Sequence, residues 1–440
     1  MPIQWLSYND KTIVKHLLYL GGLALVLRLV YLYLAVDHLG MDRFWHYAND
    51  TNFYWGIADH ILVKRSFIGS YSLFLVGPGY GLIITAIRVL FGSDPLYTIL
   101  FSVLMGTLAP MVIYLLAYHL LNNKTVAFIA GCISAISWTS ISMSCHIMTD
   151  QPYFTIQATA LLFYVLGFKF GRIKWFLFAG LLTGIAAYLR SMGMFWPVIL
   201  LCVVLVMPVP RVFASRLAMI KRAAIPALIV LVMTVPWMVR NYVVHDVFTF
   251  GSNGGMALCT RLVAQMYAIN EGKHSILEYG DIWNQEEGYL TENMGPGYKK
   301  AMERVIRAAV EHPDWMISAI WKNIDENIRT YNYFVLRQMP YGVDVIETIN
   351  RRFCHWGGYV LLFLTIAGLI IMIIKGKHPA WLILGSAYFF YTIIVGVSFW
   401  QGSRLHYPAE MAWSIIVAYC VYVVATKIKM AILRTSSTRS

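Results

Sequence analysis

"GYGLIITAIRVLF", residues 79–91, is the stretch on which the topology of this chain turns. It is apolar, but it carries Arg88, and at about 13 residues it falls short of the ~20 needed to cross a hydrocarbon core. Counted as a crossing, it would invert every later loop and move the basic clusters to the outer side. Read as an interfacial or re-entrant piece, it leaves ten apolar runs, near 17–36, 97–120, 126–147, 152–168, 175–190, 193–208, 223–239, 357–374, 379–399 and 408–426. Every second connection is then basic: Lys11 and Lys15; Lys124; Lys169, Arg172 and Lys174; Arg211, Arg216, Lys221 and Arg222; Lys375 and Lys377; and Lys427, Lys429 and Arg434. The positive-inside rule puts these segments, and both termini, in the cytoplasm.

Composition agrees with this register. Of 440 residues, 59% are hydrophobic and 13% charged, which defines an all-α polytopic integral membrane protein. The first apolar run lacks a small-residue cleavage site and is followed by many others, so it is expected to be a retained helix and not a removed signal. The net charge of +13 lies in short clusters between apolar runs and not on one face of a soluble domain, which argues against nucleic acid. Six cysteines occur without CxxC or a His-rich companion, so no zinc framework is implied. Cys259 and Cys354 fall in one expected loop, where two free thiols are favoured over a disulfide.

Three regions follow. Residues 1–239 form an N-terminal transmembrane module with a long first outer loop at 37–96, residues 240–356 an outer helical cap, and residues 357–440 the C-terminal transmembrane helices. Within the cap, Met302, Val305, Ile306 and Ala309 recur at helical spacing, and Pro313 separates that helix from a second one.

With this topology Asp10 is the only acidic residue on the cytoplasmic side, so the chemistry is expected outside. "HYANDTNFYWGIADHIL", residues 46–62, follows the first crossing. Asp50, Tyr54 and Ala58 are four apart and share a helix face, with Asp50 near its start. "MTDQPYF" places Asp150 between crossings three and four, and "YLRSMGMFWP" places Arg190 between five and six. "VPWMVRNY" places Arg240 after crossing seven; "WQGSRLHYP" places Arg404 and His406 between nine and ten. Plainer roles are open to most of them: helix caps for the two aspartates, snorkelling to headgroups for Arg190 and Arg240, an ordinary interfacial position for His406. Their convergence at one depth favours a site. "GPGYG" has no P-loop lysine, and GxSxG and HExxH are absent, so nucleotide hydrolysis, serine hydrolysis and zincin chemistry have no motif behind them.

Taken together, these segments resemble the GT-C superfamily of membrane glycosyltransferases, in particular the bacterial proteins similar to protein O-mannosyltransferases and lipid A aminoarabinose transferases. The likeness rests on "LRLVYL" in crossing one, on "DTNFYWGIA" in the first outer loop, and on "GPGYGLIITAIRVLFG", "MTDQPYF" and "VPWMVRNYVVHDVFTFGSNGG". "EHPDWMISAIWKN" and "SRLHYP" complete the order. The resemblance implies a GT-C-like fold of about ten crossings with interfacial helices and a cap. It also implies inverting transfer of a sugar from a polyprenyl phosphate, undecaprenyl in bacteria, to a lipid, glycan or protein acceptor at the periplasmic face of the inner membrane. Asp50 then matches the general base, and Asp150 would position the acceptor or help to hold a divalent metal. Arg404, Arg190, Arg240, His406 and Tyr407 are candidates for the donor phosphate, and Tyr54, Asn52 and Tyr80 for the substrate. Three departures stand out: Thr51 replaces a frequent second acidic residue, Val76 and Gly77 precede Pro78 where a lysine would stand, and Leu405 replaces an aromatic. Two readings from other classes stay open, a lipid or glycolipid transporter and an accessory subunit of a cell-envelope glycan assembly complex.

Overall fold

The computed structural model describes residues 11–48, 50–287, 294–329, 355–395 and 403–437, and every regular element among them is helical. The first crossing is α1 (Lys11–Leu39), and the first loop contributes α2 (Asp50–Lys64) and α3 (Gly79–Phe91). The bundle continues with α4 (Pro95–Leu121), α5 (Lys124–Ile136), the short α6 (Trp138–Met143), α7 (Asp150–Phe170), α8 (Ile173–Leu189), α9 (Trp196–Val206) and α10 (Ile225–His245). Then follow α11 (Met294–Glu311), α12 (Pro313–Arg329), α13 (His355–Ile374), α14 (His378–Val395) and α15 (Glu410–Ser437).

Local signals set these boundaries. Asp94 caps α4, its side chain accepting from the Leu96 N–H at 2.9 Å with Pro95 in the first turn, which satisfies an orphan donor and presets the helical φ. Asn122 ends α4 in the left-handed region and Asn123 begins α5 by accepting from the Val126 N–H at 3.0 Å. Two residues thus reverse the chain and make α4 and α5 antiparallel neighbours.

Six helical stretches are long and apolar enough to cross a membrane: Lys11–Leu39, Pro95–Leu121, Asp150–Phe170, Arg216–His245, Trp356–Ile374 and Arg404–Thr435. With the shorter apolar helices between them, they make this a multi-pass membrane protein. Two expected runs need correction. The run 126–147 is not one helix but α5 and α6, broken at Ser137, whose hydroxyl accepts from the Ser140 N–H at 3.3 Å and donates to Glu410 Oε2 at 2.7 Å. Serine side chains compete here with the backbone ladder and start a new cap inside an apolar stretch. The run 223–239 extends through Pro236 to His245, so Arg240 lies within α10 and not beyond it.

α4 packs against α1, α5 and α7, α8 against α7 and α10, and α15 against α5, α13 and α14. One large apolar cluster runs through this bundle, from Leu20 and Ile113 to Leu161, Leu384 and Ile415. The stretch 79–91 forms α3, which packs on α2 through Arg88 and not as a long span. Arg88 donates to Asp59 at 2.6 Å and lies 4.6 Å from the centre of the Trp55 ring. Gly79 permits the other contact of α3, since a Cβ there would sit 2.3 Å from the Tyr188 carbonyl oxygen. A separate apolar cluster joins Met256, Cys259, Leu262, Tyr279, Trp283 and Val305. Cys259 is buried there, and Cys354 lies outside the described residues.

Candidate active site

The site forms where the starts of α2 and α7, the end of α8 and the turn before α15 meet. Asp50 opens α2, and the first turn of that helix is fastened to the segment before α7. Thr51 donates from Oγ1 to the Ile147 carbonyl at 3.3 Å, and Tyr54 Oη shares a hydrogen bond with Thr149 Oγ1 at 3.3 Å. Thr51 is wholly buried. A second carboxylate at this position would be enclosed against a backbone carbonyl, which gives a physical reason for the neutral residue found here. Burial, with the nearby Asp50 carboxylate, pushes the Tyr54 phenol up to about 12, so it is a neutral hydroxyl at any ordinary pH.

Asp150 opens α7 with Pro152 in the first turn, where the helix dipole favours a carboxylate. Two arginines from distant segments close on it. Arg190, at the end of α8, donates from Nη1 to Asp150 Oδ1 at 2.6 Å. Arg404 donates from Nε toward both oxygens, each at 3.3 Å, and from Nη2 to Asp50 Oδ2. Arg404 is thus the hub between the two carboxylates. Their exposure differs sharply: the Asp150 side chain is 0% exposed and that of Asp50 36%. Asp150 is a buried anchor, whereas Asp50 presents an oxygen to solvent.

The other expected residues divide. Tyr80 stands beside the site, its ring edge-on to Tyr54 at 5.2 Å and its hydroxyl bonded to Ser102 at 3.2 Å. Asn52 is exposed and bonds His46 at 3.1 Å, at the rim. Tyr407 points into the bundle, donating to Gln151 Oε1 at 2.6 Å, sharing a hydrogen bond with the Ser140 hydroxyl at 3.0 Å and stacking on Phe154. His406 bonds Thr392 at 3.2 Å and meets Tyr388 edge-on. Neither bonds Asp50 or Asp150. Arg240 is directed elsewhere: it donates to the Phe67 carbonyl and to Asn241 and lies 4.9 Å from the Trp237 ring centre. It clasps the loop between α2 and α3, because its place in the last turns of α10 aims it along that loop.

Two features were missed in the sequence. Arg261, on a single π-helical turn Leu258–Val263 of the cap, interacts electrostatically with both Asp50 and Arg404. A lone arginine in "LCTRLV" was the available signal, and π-turns often mark functional positions. Glu410 is a buried carboxyl at the head of α15; an acidic residue within an expected crossing is itself a marker of function. No cluster of three His, Cys, Asp or Glu side chains occurs among the described residues, and Arg404 lies between the two site aspartates. Among the described residues, the donor set does not fit a divalent metal.

This all-helical architecture shares its fold with the oligosaccharyltransferase of Archaeoglobus fulgidus. The structure of AglB, the oligosaccharyltransferase of Archaeoglobus fulgidus, in complex with an inhibitory peptide and a dolichol-phosphate, superposes at a TM-score of 0.56 with 13% identity over 98% of this chain. The crystal structure of the Archaeoglobus fulgidus oligosaccharyltransferase in the apo form gives 0.55 and 14%, again over 98%. The chain spans about half the length of these structures, 52% and 53%. A family profile described as dolichyl-phosphate-mannose-protein mannosyltransferase matches residues 76–239, less than half of the chain. A search of curated proteins by sequence finds no match.

Proposed function

We propose that the protein transfers a sugar from a polyprenyl phosphate to an acceptor at the periplasmic face of a bacterial inner membrane, with inversion at the anomeric carbon. The observation that carries this reading is the Asp50–Arg404–Asp150–Arg190 chain, in which one carboxylate is open to solvent and the other is locked between two guanidinium groups. The acceptor hydroxyl attacks the anomeric carbon as the bond to the phosphate oxygen breaks, and its electron pair leaves with the phosphate. The hydroxyl becomes acidic as the new bond forms, so its proton passes to Asp50. A base so placed contributes about 100-fold to 10,000-fold.

The leaving phosphate gains negative charge and needs fixed cations. Arg404 and Arg190 supply them, held by Asp150, with Arg261 as a further cation near Asp50 and Arg404. Donor binding draws Arg404 toward the phosphate and so releases the Asp50 oxygen it holds. This role sets Asp150 as the positioning residue for the two arginines. The family match of residues 76–239 and the fold shared with an enzyme solved with dolichol-phosphate support a lipid-phosphate donor.

The test is binding of undecaprenyl phosphate to the purified protein and to Arg404→Ala and Asp50→Asn. Wild type and Asp50→Asn are expected to bind, and Arg404→Ala to bind weakly. Absence of binding by a well-folded wild type removes the donor and with it this reading.

A further inference from the structure

Arg28 stands near the middle of α1, within the "LRLVYL" stretch, and is 0% exposed. A charge inside a membrane crossing is costly, so its presence calls for a role. α4 makes room for it: a Cβ at Gly106 would sit 2.5 Å from Arg28 Nε. The guanidinium donates from Nη1 to the Ala24 and Ala135 carbonyls, at 3.0 and 3.4 Å, and from Nη2 to Ser140 Oγ at 2.6 Å. Ser140 in turn bonds Tyr407 Oη at 3.0 Å, and Tyr407 donates to Gln151 Oε1 at 2.6 Å. Gln151 Nε2 donates to Thr155 Oγ1 at 3.0 Å, and Thr155 donates to the Met105 carbonyl of α4 at 2.9 Å.

The donors and acceptors allow one order. Tyr407 has a single hydroxyl hydrogen and Gln151 Oε1 can only accept, so that hydrogen goes to Gln151. Ser140 then gives its own hydrogen to Tyr407 and keeps a lone pair for Arg28. Every bond runs the same way, from the cation to the start of α7, and the bonds of such a chain strengthen one another in a dry interior. Its last link adjoins the candidate active site on both sides. Tyr407 lies three residues after Arg404, and Gln151 directly follows Asp150. The chain thus fastens, from behind, the two backbone segments whose side chains form the Arg404–Asp150 pair.

We propose that Arg28, Ser140, Tyr407 and Gln151 are positioning residues that hold Arg404 against Asp50 and Asp150. Tyr407 carries the effect, since it joins the turn that bears Arg404 to the helix that bears Asp150. The hold on Asp50 does not depend on the reaction assigned to the site; only its value for donor binding rests on that reading.

Carbodiimide labelling of the full-length protein, read by mass spectrometry, tests it, because the Asp50 side chain is 36% exposed and reacts faster once Arg404 leaves it. Asp59, paired with Arg88, is the internal reference. Tyr407→Phe is expected to label Asp50 several-fold faster than wild type with Asp59 unchanged, and to add nothing in an Arg404→Ala background. Ser140→Ala, which removes the link before it, is expected to give the same pattern and serves should Tyr407→Phe not fold. An unchanged Asp50 rate, a parallel rise at Asp59, or a further rise in the Arg404→Ala background overturns the proposal. Titration with undecaprenyl phosphate separates it from the catalytic reading. Tyr407→Phe is expected to bind about tenfold more weakly, the equivalent of one lost hydrogen bond, and unchanged affinity removes its part in donor binding. A wild type that binds no undecaprenyl phosphate removes the donor and leaves the labelling result to decide the hold on Asp50.

Discussion

Arg404 donates to Asp50 across 354 positions of sequence and, through the same guanidinium, to Asp150. A planar fork is needed for this, because its N–H groups point in fixed and separate directions. The consequence is that the solvent-facing carboxylate and the buried one are set at a fixed relation by a single side chain.

Removal of the fork should be costly twice. Arg404→Ala leaves Asp150 buried with Arg190 alone, and breaking such a pair costs about 3–5 kcal/mol, so a clear fall in melting temperature is expected alongside weakened polyprenyl-phosphate binding. Arg404→Lys keeps the charge but cannot hold both carboxylates. It should retain more of the stability than of the turnover, which thermal melts and a transfer assay together would show.

Asp50→Asn preserves shape and removes the proton acceptor. Transfer should fall by about 100-fold or more with donor affinity and melting temperature close to wild type. A variant that kept full turnover would require another base.

Arg261, and not Arg240, is expected to serve the donor phosphate. Arg261→Ala is expected to weaken lipid-phosphate binding about tenfold, as loss of one charge-assisted contact would. Arg240→Ala should leave that binding within about twofold and cost about 1.5–3 kcal/mol of stability through its lost bond to Phe67. Titration of both variants with undecaprenyl phosphate, next to their melting curves, separates the two.

Tyr54 titrates only near 12. Raised above its unfolded value of about 10, it leaves stability unaffected below that pH and lowers it as the pH rises beyond, since the unfolded phenol releases its proton first. The pH–rate profile of Tyr54→Phe between pH 5 and 9 should therefore keep the wild-type shape, with a modest uniform loss. A shifted limb would assign Tyr54 a proton-transfer role.

Gly79→Ala tests the docking of α3 on α8. The added methyl meets the Tyr188 carbonyl, a backbone atom that cannot swing away, and overpacking of this kind costs about 1–3 kcal/mol. The expected result is a lower melting temperature and reduced activity with Asp50 intact.

The helical class and the short helix at 79–91 were legible because hydrophobic run length and basic punctuation are local properties of the chain. Asp50 and Asp150 were legible for the same reason, as acidic residues at helix starts beside apolar runs. Partnership was not. Arg190, Arg240 and Arg404 look alike in sequence, each at the edge of a crossing. Only the packing of α7, α8, α10 and the turn before α15 decides that the first and third meet Asp150 while the second turns to Phe67. The break at Ser137, the approach of Arg261 and the chain of bonds from Arg28 to Gln151 likewise depend on contacts between segments far apart in the chain. Run length and charge fix which residues can stand at a membrane edge, whereas direction and pairing of their side chains arise only when helices from distant segments close on one another.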